Sequence, residues 1–148
     1  MTRRRALAAS GVVAFLVLIA AAMTYLHDPP WIGSVTSGLR DWEQEPSGTR
    51  FRWASSHATF YVPSDRSTMT LSLEGVFGET DGRTGTIDIT VDDRWLATFT
   101  LPDSEWIQRR LTIAGESTGR RYRRIDMRVR PTFGHRNLSV KLGEVALE

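Results

Sequence analysis

The run TIDITVDDRWLATFTL, residues 86–101, reads as two strands joined by a turn. Ile87, Ile89 and Val91 alternate with Asp88 and Thr90, and Trp95, Ala97, Phe99 and Leu101 repeat the period on the far side. An extended chain turns successive side chains to opposite faces, so a period of two gives each strand one apolar and one wet face. Between the two runs, Asp92 and Asp93 are residues that tolerate turn dihedrals, and the segment reads as a hairpin turn. By its phase, Trp95 joins Ala97 and Phe99 in the core.

The same rhythm extends in both directions. Upstream lie Ala58, Phe60 and Val62, then Met69, Leu71 and Leu73; downstream lie Leu111 and Ile113, then Ile125, Met127 and Val129, then Leu138, Val140 and Leu142, and finally Val145 and Leu147. Turn-forming stretches separate these runs: VPSDRS, GETDGRTG, LPDSE and AGESTG. After residue 30 no apolar helical period of useful length appears. About eight short strands at this spacing predict an all-β domain, a jelly-roll-like antiparallel β-sandwich.

Ahead of the strands the chemistry changes. Residues 6–26 carry no charge, Arg3, Arg4 and Arg5 precede them, and no Lys or Arg follows until Arg40. Roughly 20 apolar residues suffice to cross a bilayer as a helix. The charge asymmetry predicts the N-terminus in the cytoplasm and the rest outside. A cleavable secretory signal, with Ala20-Ala21-Ala22 as its small-residue site, is the competing reading and exports the same domain. The expected organisation is a cytoplasmic tip (1–5), a transmembrane helix or signal anchor (6–26), a Pro/Gly/Ser-rich spacer (27–47) and the sandwich (48–148). The membrane is thus an expected partner, through the N-terminal helix.

Export alters the meaning of charge. With three arginines on the tip, 16 of the 19 basic residues remain to face all 17 acidic ones, so the exported part is nearly neutral. The stretch RRYRRIDMRVRPTF, residues 120–133, therefore predicts no nucleic-acid partner. It reads as a strand whose outward residues are Asp126, Arg128 and Arg130, either solvated or facing an anionic glycan or lipid headgroup. Pro131 ends it, lacking a ladder donor.

Catalytic and metal signatures are missing from the sequence. His27, His57 and His135 have no metal-ligand spacing, there is no cysteine, and no G-x-S-x-G occurs. Glu43 with Glu45, and Asp92 with Asp93, are pairs in sequence only. No metal or other cofactor is expected and no enzyme activity is assigned; a hydrolase needs two carboxylates, or a serine with a histidine, brought into one cleft. The Asn137-Leu138-Ser139 sequon matters only in a eukaryotic secretory route. The aromatics Trp42, Trp53, Trp95, Trp106 and Tyr61 divide between core packing and sugar stacking.

Taken together, GTRFRWASSHATFYVP, VDDRWLATFTLPDSEWIQRRLTI, RRIDMRVRPTF and LSVKLGEVALE make residues 38–148 resemble a domain of bacterial envelope glycosylation. This is the exported, galactose-binding-like β-sandwich found fused to multi-spanning glycosyltransferases of the mannosyl-transfer type. The resemblance rests on Trp42-Glu43 before Arg52-Trp53, on the strand from Arg124 to Pro131, and on the closing Leu142-Gly143-Glu144-Val145. It implies a non-catalytic glycan or glycolipid binder, or an accessory subunit docking onto a glycosyltransferase; the chain carries no transferase body from which catalysis would follow. The candidate ligand-binding residues are Glu43, Arg52, Trp53, Tyr61, Trp106, Arg128 and Arg130. A sugar site predicts that Trp53, Trp106 or Tyr61 stands on a concave sheet face beside Arg128 and Arg130.

Overall fold

A computed structural model describes residues 2–77, 84–113, 119–131 and 138–148. The chain divides into two units, Met1–Ile32 and Gly33–Glu148. The first is dominated by helix α1, Thr2–His27. Its 26 residues extend about 39 Å at the α-helical rise. Val12, Phe15, Leu16 and Leu18 all stand exposed. The helix is long and apolar enough to cross a membrane, a description that a membrane span and a secretory signal both meet.

The second unit is all-β, with nine strands among the described residues rather than about eight. They are β1 (Ser37–Gln44), β2 (Arg50–Pro63), β3 (Thr68–Gly75), β4 (Thr84–Val91), β5 (Arg94–Pro102), β6 (Trp106–Thr112), β7 (Tyr122–Pro131), β8 (Leu138–Gly143) and β9 (Ala146–Leu147). All named strand pairs are antiparallel. Strand β1 lies inside the stretch read as a spacer. Its pairing with β2 shifts register twice, between Ser37 and Leu39 and between Leu39 and Trp42. Those irregularities break the two-residue period that would have revealed a strand.

The hydrogen-bonded order is β5-β4-β7-β2-β8-β3-β6. Laid flat, six strand spacings of about 4.8 Å would part β5 from β6 by roughly 29 Å. Yet β5 ends at Pro102 and β6 begins at Trp106, and so short a link reaches at most about 14 Å. The ladder must fold over on itself. It does so at β2, whose first half pairs with β8 and whose second half pairs with β7, with a register shift between Ala54 and Ser55. One layer is then β5-β4-β7 with the end of β2; the other is the start of β2 with β8, β3 and β6. A bridge from Gly75 to Asp103 and a bond from the Phe77 amide to Asp103 Oδ1 (2.6 Å) tie the layers near the fold.

Between the layers lies one core. Ile87 and Ile89 of β4, Ile125 and Met127 of β7, and Met69, Leu71 and Leu73 of β3 are fully buried, as their alternation predicts. Trp95 does not join them and is 68% exposed. A bulge causes this: Ile89 pairs with Ala97, but Thr90 pairs with Trp95, so the strand slips by one residue and its phase inverts. The hairpin turn is as read, with Asp92 and Asp93 both at positive φ (50° and 67°), the geometry of a two-residue type I′ loop.

Candidate functional site

Each core strand of the first layer presents its alternate side chains on the outer face, and antiparallel register assembles these into rows. One row runs His57 (β2), Arg128 (β7), Asp88 (β4), Thr98 (β5). The next runs Ser37 (β1), Thr59, Asp126, Thr90 and Trp95. Tyr61 pairs with Arg124 on one side of these rows, and Arg130 with Thr86 on the other. The face is concave and encloses about 810 Å³, lined by these residues other than Thr86, together with Val35 and Asp93.

The polar groups hold one another. Asp126 faces outward but is only 8% exposed, because its carboxylate takes Thr59 Oγ1 at 2.7 Å and Arg124 Nε at 2.8 Å. His57 Nε2 lies 3.7 Å from the same carboxylate. Burial alone would push Asp126 towards the neutral acid; the bonds from Thr59 and Arg124 outweigh that and hold it below the usual carboxylate range. Asp88 accepts Thr98 Oγ1 at 2.7 Å and also pairs with Arg130. The hydroxyl and then the guanidinium lower it likewise. Arg124 also reaches Asp93, and Asp92 accepts the Arg124 amide at 2.9 Å, which seats the β4–β5 turn against β7.

Asp88 and Asp126 are diagonal neighbours across β4 and β7, a relation that separates side chains by about 7–8 Å. That spacing would suit glycoside hydrolysis, which also needs one of the two as a protonated acid with a raised pKa. Both are shifted the other way. The pair can accept hydrogen bonds from hydroxyls, while at neutral pH neither has a proton to give.

Two aromatics border the rows. Trp95 donates its indole Nε1–H to Thr98 Oγ1 at 3.0 Å, and that hydroxyl in turn donates to Asp88. The ring is thereby fixed while remaining exposed. Tyr61 lines the same concavity, half-buried.

Of the seven candidates named from sequence, Tyr61, Arg128 and Arg130 meet here. The others lie elsewhere. Trp53 and Trp106 belong to a row on the other layer, Trp53–Lys141–Glu74–Trp106. There Lys141 Nζ binds Glu45 Oε1 (2.5 Å) and Glu74 Oε2 (2.7 Å). The indoles of Trp53 and Trp106 donate to Glu43 and Glu45 at 3.3 and 3.4 Å. Arg52 binds the Arg40 carbonyl (2.6 Å) and Thr36 Oγ1 (3.2 Å), with its guanidinium 5.5 Å from the Trp42 ring. These contacts fasten β1 and its turn to the sandwich.

Sequence reading missed Trp95, His57, Asp88, Asp126 and Arg124 as site residues. For His57 and Asp126 the signal existed: they share phase with Tyr61 and with Arg128. His135, the sequon and the GETDGRTG and AGESTG turns lie wholly or partly outside the described residues. Among the described residues, no group of three or more His, Asp or Glu side chains is arranged to hold a metal ion.

No protein-family model matches the chain, and no curated protein matches it. Among solved structures it is similar to the carbohydrate-binding module CBM36 in complex with calcium and xylotriose, at 11% identity and TM-score 0.45, covering 77% of this chain and 92% of that one. It is also similar to CBM51 from Clostridium perfringens GH95 in complex with methyl-galactose, at 10% identity and TM-score 0.46, covering 72% and 79%. A family two carbohydrate esterase from Clostridium thermocellum, in complex with cellohexaose, matches at 9% identity and TM-score 0.48 over 77% of this chain; the chain spans 31% of that protein's length.

Proposed function

We propose that this chain is a membrane-anchored, non-catalytic glycan-binding protein of the cell envelope, with its site on the concave outer face of the first layer. The observation that carries this is the convergence of a fixed, exposed indole with a polar grid. The C–H face of a sugar ring stacks on an aromatic plane, and its hydroxyls need charged acceptors and donors held in place. Trp95 supplies the plane; Asp88, Asp126 and the arginines supply the grid. Residues 6–26 serve as the anchor, and Arg3 to Arg5 support an inside N-terminus with the sandwich outside. The resemblance to domains fused to glycosyltransferases supports a role beside glycan synthesis, with a glycosyltransferase as neighbour. Glycoside hydrolysis by this pair is left out because both carboxylates are shifted towards the charged form, and neither is the raised-pKa acid it needs.

The test is calorimetric titration of the full chain in nanodiscs with envelope polysaccharides and their oligosaccharides. Binding that is lost in Trp95→Ala supports the reading. Absence of heat with every glycan at millimolar concentration overturns it, and recovery of a glycosyltransferase by crosslinking would then favour the docking reading.

A further inference from the structure

Among the described residues the concave face carries three arginines, and two of them are in ion pairs. Arg124 is paired with Asp126 and Asp93, and Arg130 with Asp88. Arg128 lies between them in sequence, faces the same cavity and is exposed. Among the described residues its guanidinium makes no hydrogen bond or ion pair. Asp88, its cross-strand neighbour, feels its charge but bonds to Thr98 and Arg130 instead. On its other side the neighbour is His57, which adds no negative charge.

We infer that Arg128 receives a sugar-borne oxyanion, so that the ligand of the site proposed above is an acidic glycan. The inference rests on that site being a glycan site. A guanidinium is a planar fork that matches the two oxygens of a carboxylate and also binds phosphate. Among the described residues the other two arginines of this face are in ion pairs, so the unbonded fork is the group left for a ligand. Its position agrees: β7 is two strand spacings, about 10 Å, from β5, where Trp95 stands. One sugar stacked on the indole therefore places the acidic group of a neighbouring unit near Arg128. With Arg128 counted, the described lining holds three aspartates against three arginines and has no net charge, so the attraction for an anion is local to Arg128.

The experiment uses the full chain in nanodiscs and three ligand sets of matched linkage: neutral oligosaccharides, the same with uronic acids, and the same with a phosphorylated sugar. The expected result is at least tenfold tighter binding of a uronate or phosphate set than of the neutral set. The ratio should collapse towards one in Arg128→Gln and survive in part in Arg128→Lys, which keeps the charge without the fork. Whichever acidic set is preferred tells carboxylate from phosphate. Neutral and acidic sugars bound equally, or a preference that persists in Arg128→Gln, would overturn the inference while leaving the glycan site standing. Failure of all three sets removes both.

Discussion

Lys141 and Glu45 sit 96 residues apart in sequence and 2.5 Å apart in space, Nζ to Oε1, on the outer face of the second layer. Burial works against the charged lysine, and its bonds to Glu45 and Glu74 more than offset this, holding its pKa above the usual value. The ammonium also lies 5.0 Å from the Phe51 ring and 5.8 Å from that of Trp53. Lys141→Met leaves two half-buried carboxylates facing each other. Breaking a buried pair costs about 3–5 kcal/mol; partial solvent access reduces this to about 2–3 kcal/mol here. Urea unfolding checks it, and a loss under about 0.5 kcal/mol would show the cluster to be ornamental.

Acid should destabilise the sandwich. Glu45, Asp88 and Asp126 are all held below their ordinary values of 4.5, 3.8 and 3.8. A carboxylate with a lowered folded pKa contributes stability above its unfolded pKa, and loses it as pH falls through the folded one. Stability should thus be level from neutral pH down to about 5 and decline below about 4. Urea midpoints measured from pH 7 to pH 2 give the curve, and Glu45→Gln should flatten it. A midpoint that rises on acidification contradicts the ion-pair account.

Trp95 and Trp106 should behave oppositely when truncated. Trp95, 68% exposed, lies away from the core, so Trp95→Ala should change stability by no more than about 0.5 kcal/mol and abolish glycan affinity. Trp106, partly buried and bonded to Glu45, should lose stability and keep binding. Paired unfolding and titration data decide; equal effects on both properties would count against the site.

Gly38→Ala should damage β1 and the site together. Gly38 has φ +68°, and a Cβ there would meet the His57 carbonyl oxygen and Ser55 Oγ. That carbonyl already accepts Ser55 Oγ at 2.6 Å. The strain and clash should cost about 1–3 kcal/mol and shift the His57 end of the Arg128 row. Thermal unfolding and a glycan titration of the variant measure the two effects.

Topology is open to a direct assay because the chain contains no cysteine. A single Ser64→Cys, on an exposed position after β2, should react with a membrane-impermeant maleimide in intact cells. Labelling only after lysis would place the sandwich inside and remove the envelope reading.

What the residues disclosed on their own were features with a local cause. A charge-free run long enough for a membrane, and apolar side chains every second position, depend on the geometry of a single helix or strand. Hence Ile87, Ile125 and Leu71 could be assigned to the core unaided. Trp95 could not, because one extra residue in β5 inverts its phase, and that slip is defined only against β4. Strand β1 stayed hidden for a related reason, its two register shifts erasing the period.

The site itself belonged to the tertiary structure. His57, Arg128, Asp88 and Thr98 come from four strands and become neighbours only through register. The same pairing carried Trp53 and Trp106 to the other layer, although sequence chemistry alone grouped them with Arg128. Alternation states which side of its own strand a residue takes. Which strands lie side by side, and so which side chains share a surface, is settled by non-local hydrogen bonding and the packing of one core.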